Sequence, residues 1–185
     1  MGRPAFQSGY ALVVENWRSQ FSTTINKAAG KSEYPKMGVF VMLKDEIRKR
    51  FEACKDEMFK DLGTLVAINS ENSPEKPGMP FGEGPAEALR SALEIGERMG
   101  FAVDNVDNYA GAISYGSGKE SVGVLAHLDI VPAGKGWDTD PFTLTEKDGR
   151  LYGRGTSDDK GPVIAALYGM KIIREMGIPL DRSIR

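Results

Sequence analysis

Cysteine and histidine are almost missing from this sequence: its 185 residues contain one of each, Cys54 and His127. A single thiol excludes an internal disulfide and fits a reducing cytoplasm. No run of about 18 apolar residues occurs, so nothing is expected to span a bilayer. An excess charge of one sign is also lacking, because 24 Lys and Arg against 26 Asp and Glu leave a net charge of -2. That balance provides no electrostatic footprint for nucleic acid or an anionic membrane. The N-terminus lacks the charged, apolar and cleavage regions of a secretory signal, and Phe6 stands where myristoylation of Gly2 would want Ser or Thr. What is present, 41% hydrophobic residues, suffices for a real core, and one domain plus an appendage is the natural count.

The appendage is residues 1–41. Ser, Thr, Gly and Asn recur there, Pro4 and Pro35 interrupt, and no period persists beyond Tyr10 to Val14. It reads as an N-terminal extension of poor order, whose removal should change the melting temperature little. From residue 42 the pattern sharpens. Leu43, Ile47, Phe51, Cys54, Met58, Leu62 and Leu65 recur at three and four residues, which predicts one amphipathic helix or two in sequence, broken near Gly63. On that stripe Cys54 reads as a buried structural thiol rather than a nucleophile.

Asn69 to Pro80 is a loop, after which Pro85 opens a helix that Gly100 can close. Phe101 to Val106 and Ala110 to Tyr115 read as strands joined at Asn108. Phe142 to Leu144 and Arg150 to Tyr152 flank an Asp148-Gly149 turn signal. Val163 to Ile173 is apolar nearly all round, as a helix packed on a sheet would be, and Ser183 to Arg185 begins another strand. This order predicts an α/β domain with a mixed sheet.

The chemistry concentrates between Val122 and Pro162. Val122, Val124 and Ala126 lie in a short apolar run that suits a strand buried on both faces, with His127 at its end. Strand alternation puts His127 and Asp129 on one side, with Leu128 pointing away. An imidazole beside a carboxylate is a metal ligand next to the group that can orient its ring. Downstream, Gly153 and Gly155 bracket Arg154, Asp158 and Asp159 follow, and Pro162 sits in the first turn of the next helix. Taken alone, His-x-Asp arises often by chance, and an Asp pair is commonly a solvated loop or a charge at a helix N-terminus. The combination at this spacing is far more specific.

Together these residues resemble the M20-type metallopeptidases, and within them the dipeptidases of the PepV and Xaa-His dipeptidase kind. The resemblance rests on His127-Leu128-Asp129-Ile130-Val131-Pro132, on Gly136-Trp137 with Pro141-Phe142, and on the run from Gly153 to Pro162. Upstream, the runs from Pro80 to Pro85 and from Asn105 to Gly111 match as well. The likeness covers residues 42–185 and excludes 1–41. It implies a three-layer αβα catalytic domain with a mixed sheet, of which this chain is the N-terminal portion.

The resemblance also implies that His127 binds one metal ion, that Asp158 bridges two, and that Asp129 orients His127. The expected cofactors are two divalent ions, zinc first, with manganese or cobalt able to fill the same site. A dipeptide would be hydrolysed by a metal-activated water. A cis peptide between Asp158 and Asp159 is implied too. The family's general-base glutamate, its remaining ligands and its lid or dimerisation domain have no counterpart here, so the chain alone is expected to be inactive, with an open sheet edge at Ile184. Related deacylases of N-acyl amino acids usually carry Met where Asp159 stands, which favours a dipeptidase. A deacylase of the same fold and a non-catalytic fragment are the alternatives, and oligomeric state is left open.

Overall fold

The structure is a computed structural model that describes residues 37–185, with side chains described from Met42 onward. For residues 1–36 the expected poor order lies outside the described residues, whereas residues 37–41, placed in the same extension, begin the first helix. The chain divides into two units between Lys49 and Arg50.

The first helix, α1, spans Met37–Val66 without interruption. The expected break near Gly63 is absent. One glycine costs a helix only about 1 kcal/mol, and Gly63 faces the side chain of Leu144, with room for ordinary contact at 3.7 Å from where a Cβ would stand. Cys54, Met58, Leu62, Leu65 and Val66 are buried, as the three-and-four spacing requires. Each such side chain contributes roughly 1.5–3 kcal/mol when fully withdrawn from water.

Helix α2, Glu83–Arg98, carries Pro85 in its first turn, and Gly100 follows its end at φ 78°, a conformation that glycine adopts without penalty. It packs on a hairpin of β1, Ala102–Val106, and β2, Ala110–Ser114, paired antiparallel with Val106 opposite Ala110. Gly96 allows that contact, since a Cβ there would come within 2.8 Å of the Ile113 side chain. Asp107 and Asn108 make the turn at φ 49° and 57°, both in the left-handed region that suits Asp and Asn.

Strand β3, Ser121–Val122, pairs in parallel with β6, Ser183–Ile184. On its other side Ile184 exchanges backbone hydrogen bonds of 3.0 and 2.8 Å with Tyr115, just beyond β2. A single antiparallel bridge thus links the antiparallel pair β1-β2 to the parallel pair β6-β3, and the α/β class expected from the sequence is present. The edge expected to lie open at Ile184 does not, because Ile184 is paired on both sides. Beyond β3 the chain is exposed. There the structure corrects a second expectation: the regular strand ends at Val122, Val124 is 55% exposed and Leu125 99%. An apolar run records a preference for cover, and among the described residues nothing lies over Leu125.

A separate hairpin joins β4, Thr145–Lys147, to β5, Arg150–Tyr152, through Asp148 and Gly149 at φ 53° and 69°. Its first strand starts later than Phe142, because the Asp140 carboxylate accepts the Phe142 N–H at 3.0 Å and the Thr143 hydroxyl at 2.9 Å, holding those residues in a turn.

Helix α3, Lys160–Glu175, buries Ile164, Leu167, Tyr168, Met170 and Ile172. It meets α1 through polar contacts as well. The Tyr168 hydroxyl donates to buried Asp61 at 2.8 Å, and Arg98 donates to the same carboxylate at 2.6 and 2.5 Å. At the first turn, Lys160 is wholly buried and its Nζ donates to the carbonyls of Leu65 at 2.8 Å and Ile68 at 2.7 Å, at the end of α1. Those carbonyls are among the groups that a helix C-terminus leaves without internal partners.

Candidate functional site

The segment from His127 to Ile130 has no ladder of its own, so its conformation depends on the loop that follows α1. Ser70, fully buried, donates its hydroxyl to the Leu128 carbonyl at 2.6 Å, and the Ile130 N–H donates to the Ser70 carbonyl at 3.2 Å. Glu71 and Ile130 form a parallel bridge. Asn72, one residue on, donates its side-chain amide to Asp129 Oδ2 at 3.3 Å.

The second contributor is the loop into α3. Gly153 and Gly155 flank Arg154, whose guanidinium donates to the carbonyls of Pro132 and Ala133 and lies 5.4 Å from the Trp137 ring. The peptide bond between Asp158 and Asp159 is cis. Asp159 occupies the cap position of α3 but makes no capping bond. Its Oδ2 accepts the backbone N–H of His127 at 3.1 Å instead, tying the two loops together.

His127 is therefore surrounded by acceptors. Its Nδ1 faces the Asp129 carbonyl at 3.1 Å and Asp129 Oδ1 at 3.2 Å, while Nε2 faces Asp158 Oδ1 at 3.1 Å. His127, Asp129 and Asp158, the three residues singled out from sequence, thus converge. His127 and Asp129 side chains are about half exposed and that of Asp158 is 87% exposed. Partial burial pulls the imidazole pKa down, but hydrogen bonding to the Asp129 carbonyl and the Asp158 carboxylate, with the charges of Asp129 and Asp159, outweighs it and raises the value above the ordinary one.

As a donor set for a cation, the arrangement presents one imidazole nitrogen and one carboxylate oxygen. Two ligands of a tetrahedral ion at 2.0–2.1 Å stand about 3.3 Å apart, close to the 3.1 Å between Nε2 and Asp158 Oδ1. Asp129 and Asp159 are turned to other tasks, and among the described residues no group of three or more His, Cys, Asp or Glu side chains is gathered for a metal. The donors fit a divalent ion in kind and spacing and supply two ligands.

Four residues here were not assigned a role from sequence: Ser70, Asn72, Asp159 and Lys160. Only Asp159 and Lys160 lay within a recognised motif. Burial pulls the Lys160 pKa down to about 8, and the two carbonyls it meets compensate its ammonium.

Residues 123–185 match the family described as Peptidase family M20/M25/M40. This segment belongs to the M20 peptidase family. Among similar proteins, the Beta-Ala-Xaa dipeptidase of Lactobacillus delbrueckii subsp. lactis is 44% identical over 138 residues, covering 72% of this chain and 29% of that protein. The crystal structure of human carnosine dipeptidase 1 superposes with a TM-score of 0.63 at 30% identity, over 76% of this chain and 33% of that one. The dipeptidase Dug1p from Saccharomyces cerevisiae has the same TM-score, 0.63, at 20% identity, and speaks for the fold alone. The chain spans about a third or less of the length of these relatives.

Proposed function

We propose that this chain carries part of the catalytic domain of a metal-dependent dipeptidase, within residues 42–185, with His127 and Asp158 as metal ligands and Asp129 as the carboxylate that orients His127. The observation that carries the reading is the 3.1 Å approach of His127 Nε2 to Asp158 Oδ1 with Nδ1 engaged by Asp129. A carboxylate on Nδ1 fixes the tautomer that leaves the Nε2 lone pair free for a cation. The high exposure of Asp158 leaves room for its carboxylate to bridge two ions, with zinc the first candidate and manganese or cobalt the others. Divalent ions bound there would supply Lewis acidity, polarising a peptide carbonyl and lowering the pKa of a water. The residues of this chain do the rest: Asp129 holds the imidazole, Asp159 fixes the His127 backbone, and Ser70 with Lys160 sets the two loops in place.

A dipeptide is the proposed substrate of the whole protein, supported by the printed names of the relatives. Two ligands fall short of the three protein groups that catalytic zinc sites usually have, so metal binding by these 185 residues is weak and hydrolysis of a dipeptide does not exceed a metal-only control. A cytoplasmic setting is proposed from the lone Cys54 thiol, free and buried. Among the described residues no helix is long and apolar enough to cross a membrane.

The test is a zinc titration of the chain beside its His127→Ala and Asp158→Ala variants. Either substitution should abolish the weak binding, because each removes one of two ligands. Undiminished binding by both variants would sink the assignment.

A further inference from the structure

We infer that Asn72 is a positioning residue for His127, acting through Asp129; the inference rests on the reading above that His127 is a metal ligand. The Asp129 carboxylate has two oxygens with different tasks. Oδ1 faces His127 Nδ1 at 3.2 Å, and Oδ2 accepts from Asn72 Nδ2 at 3.3 Å. A carboxylate held by one oxygen can still swing about its Cβ–Cγ bond and withdraw the other from the imidazole. Holding Oδ2 from the far side removes that freedom.

The amide that does the holding is itself fixed. The backbone around it is clamped by the Ser70 hydroxyl on the Leu128 carbonyl at 2.6 Å and by the Ile130 N–H on the Ser70 carbonyl at 3.2 Å. The Glu71 N–H donates to Asn69 Oδ1 at 3.2 Å, which shapes the turn. The Glu71–Ile130 bridge then fixes the register of the two segments that carry Asn72 and Asp129. Asn72 is nonetheless exposed, so it fills no core volume, and an exposed side chain without a packing role changes stability by only about 0.5 kcal/mol when removed. Its effect on the site is separable from any effect on folding.

In the neutral imidazole one ring nitrogen carries the proton and the other a lone pair. Asp129, held by Asn72, favours the proton on Nδ1 and aims the Nε2 lone pair at the position beside Asp158 where a cation would sit. With Asn72 gone the Asp129 carboxylate can leave Nδ1, which keeps only the Asp129 carbonyl at 3.1 Å, so the Nε2–H tautomer paired with Asp158 gains population and the ligand must reorganise before binding.

The experiment uses the metal-free 185-residue chain at about pH 9, where a solvent-accessible imidazole is neutral. Because His127 is the only histidine, its ring ¹⁵N shifts report the tautomer without overlap. Wild type should show both tautomers, Nδ1–H facing Asp129 and Nε2–H facing Asp158 at 3.1 Å. Asn72→Ala should shift population to Nε2–H and lower zinc affinity about tenfold, the small end of effects seen for groups that orient ligands. Asn72→Asp, equal in size but unable to donate to Asp129, should do at least as much, an outcome that a purely space-filling role would not give. Unchanged tautomer populations in both variants overturn the inference, and so does loss of the folded state in Asn72→Ala, which would make the residue structural. His127→Ala binding zinc as tightly as wild type would defeat the metal reading, while the tautomer measurement would still decide the role of Asn72.

Discussion

Asp159 separates two basic side chains whose surroundings are opposites. On one side Lys160 is fully enclosed, its ammonium bonded to the Leu65 and Ile68 carbonyls at the end of α1. On the other side His127 is half exposed, and its ring nitrogens meet carboxylates that solvent also reaches. The enclosed side has its hydrogen bonds satisfied within the protein and holds still. The open side has donor atoms that a ligand can take over without breaking the core. The spacing of His127 and Asp158 is thus set from behind, by hydrogen bonds within the fold.

The largest effect expected from disturbing this contrast is on the enclosed side. Lys160→Ala removes a buried stem and leaves two carbonyls unpartnered, so urea unfolding should show a loss of about 2–5 kcal/mol. A loss below about 0.5 kcal/mol would mean that the junction does not organise the fold. An intermediate effect belongs to the open side. In the metal-free chain His127 should titrate above its ordinary value, and Asp158→Asn should bring the midpoint down, as read by NMR of the single imidazole. Because the folded state holds this proton more tightly than the unfolded chain, the contribution to stability is complete below the unfolded value of about 6.5 and fades as pH rises through the raised folded one. A midpoint unmoved by Asp158→Asn would show that Asp158 does not sense the ring. The smallest effect should come from Leu125→Lys at the 99% exposed position beyond β3. Stability should stay within about 0.5 kcal/mol of wild type, while a charge on this open edge should reduce self-association measured by light scattering.

The same contrast explains what the sequence disclosed. That His127, Asp129 and Asp158 come together could be anticipated because few residue types suit such a cluster and because two of them are two positions apart. The Asp107-Asn108 and Asp148-Gly149 turns were legible for a similar reason, since few residues tolerate positive φ. Ser70 and Asn72 were not, because their partners lie 58 and 57 residues away and nothing local marks a loop serine as a clamp. Gly63 left one helix or two open in the sequence, and the packing of Leu62, Leu65 and Val66 on either side of it carries a single helix through. The apolar run at Val124 and Leu125 was read correctly as to character and wrongly as to environment, since composition states what a strand prefers to touch and not whether it is touched.

The bond from Lys160 to the Leu65 carbonyl closes a loop of 95 residues, and that span has a temporal meaning during synthesis. At about 5–20 residues per second, the end of α1 emerges some 5–20 s before the lysine that will cap it. Through that interval the carbonyls of Leu65 and Ile68 are served by water, and the loop bearing Ser70 and Asn72 has no fixed base. His127 is made within the same interval. The alignment of the imidazole with Asp158 therefore waits on Lys160, which arrives well after His127 is made.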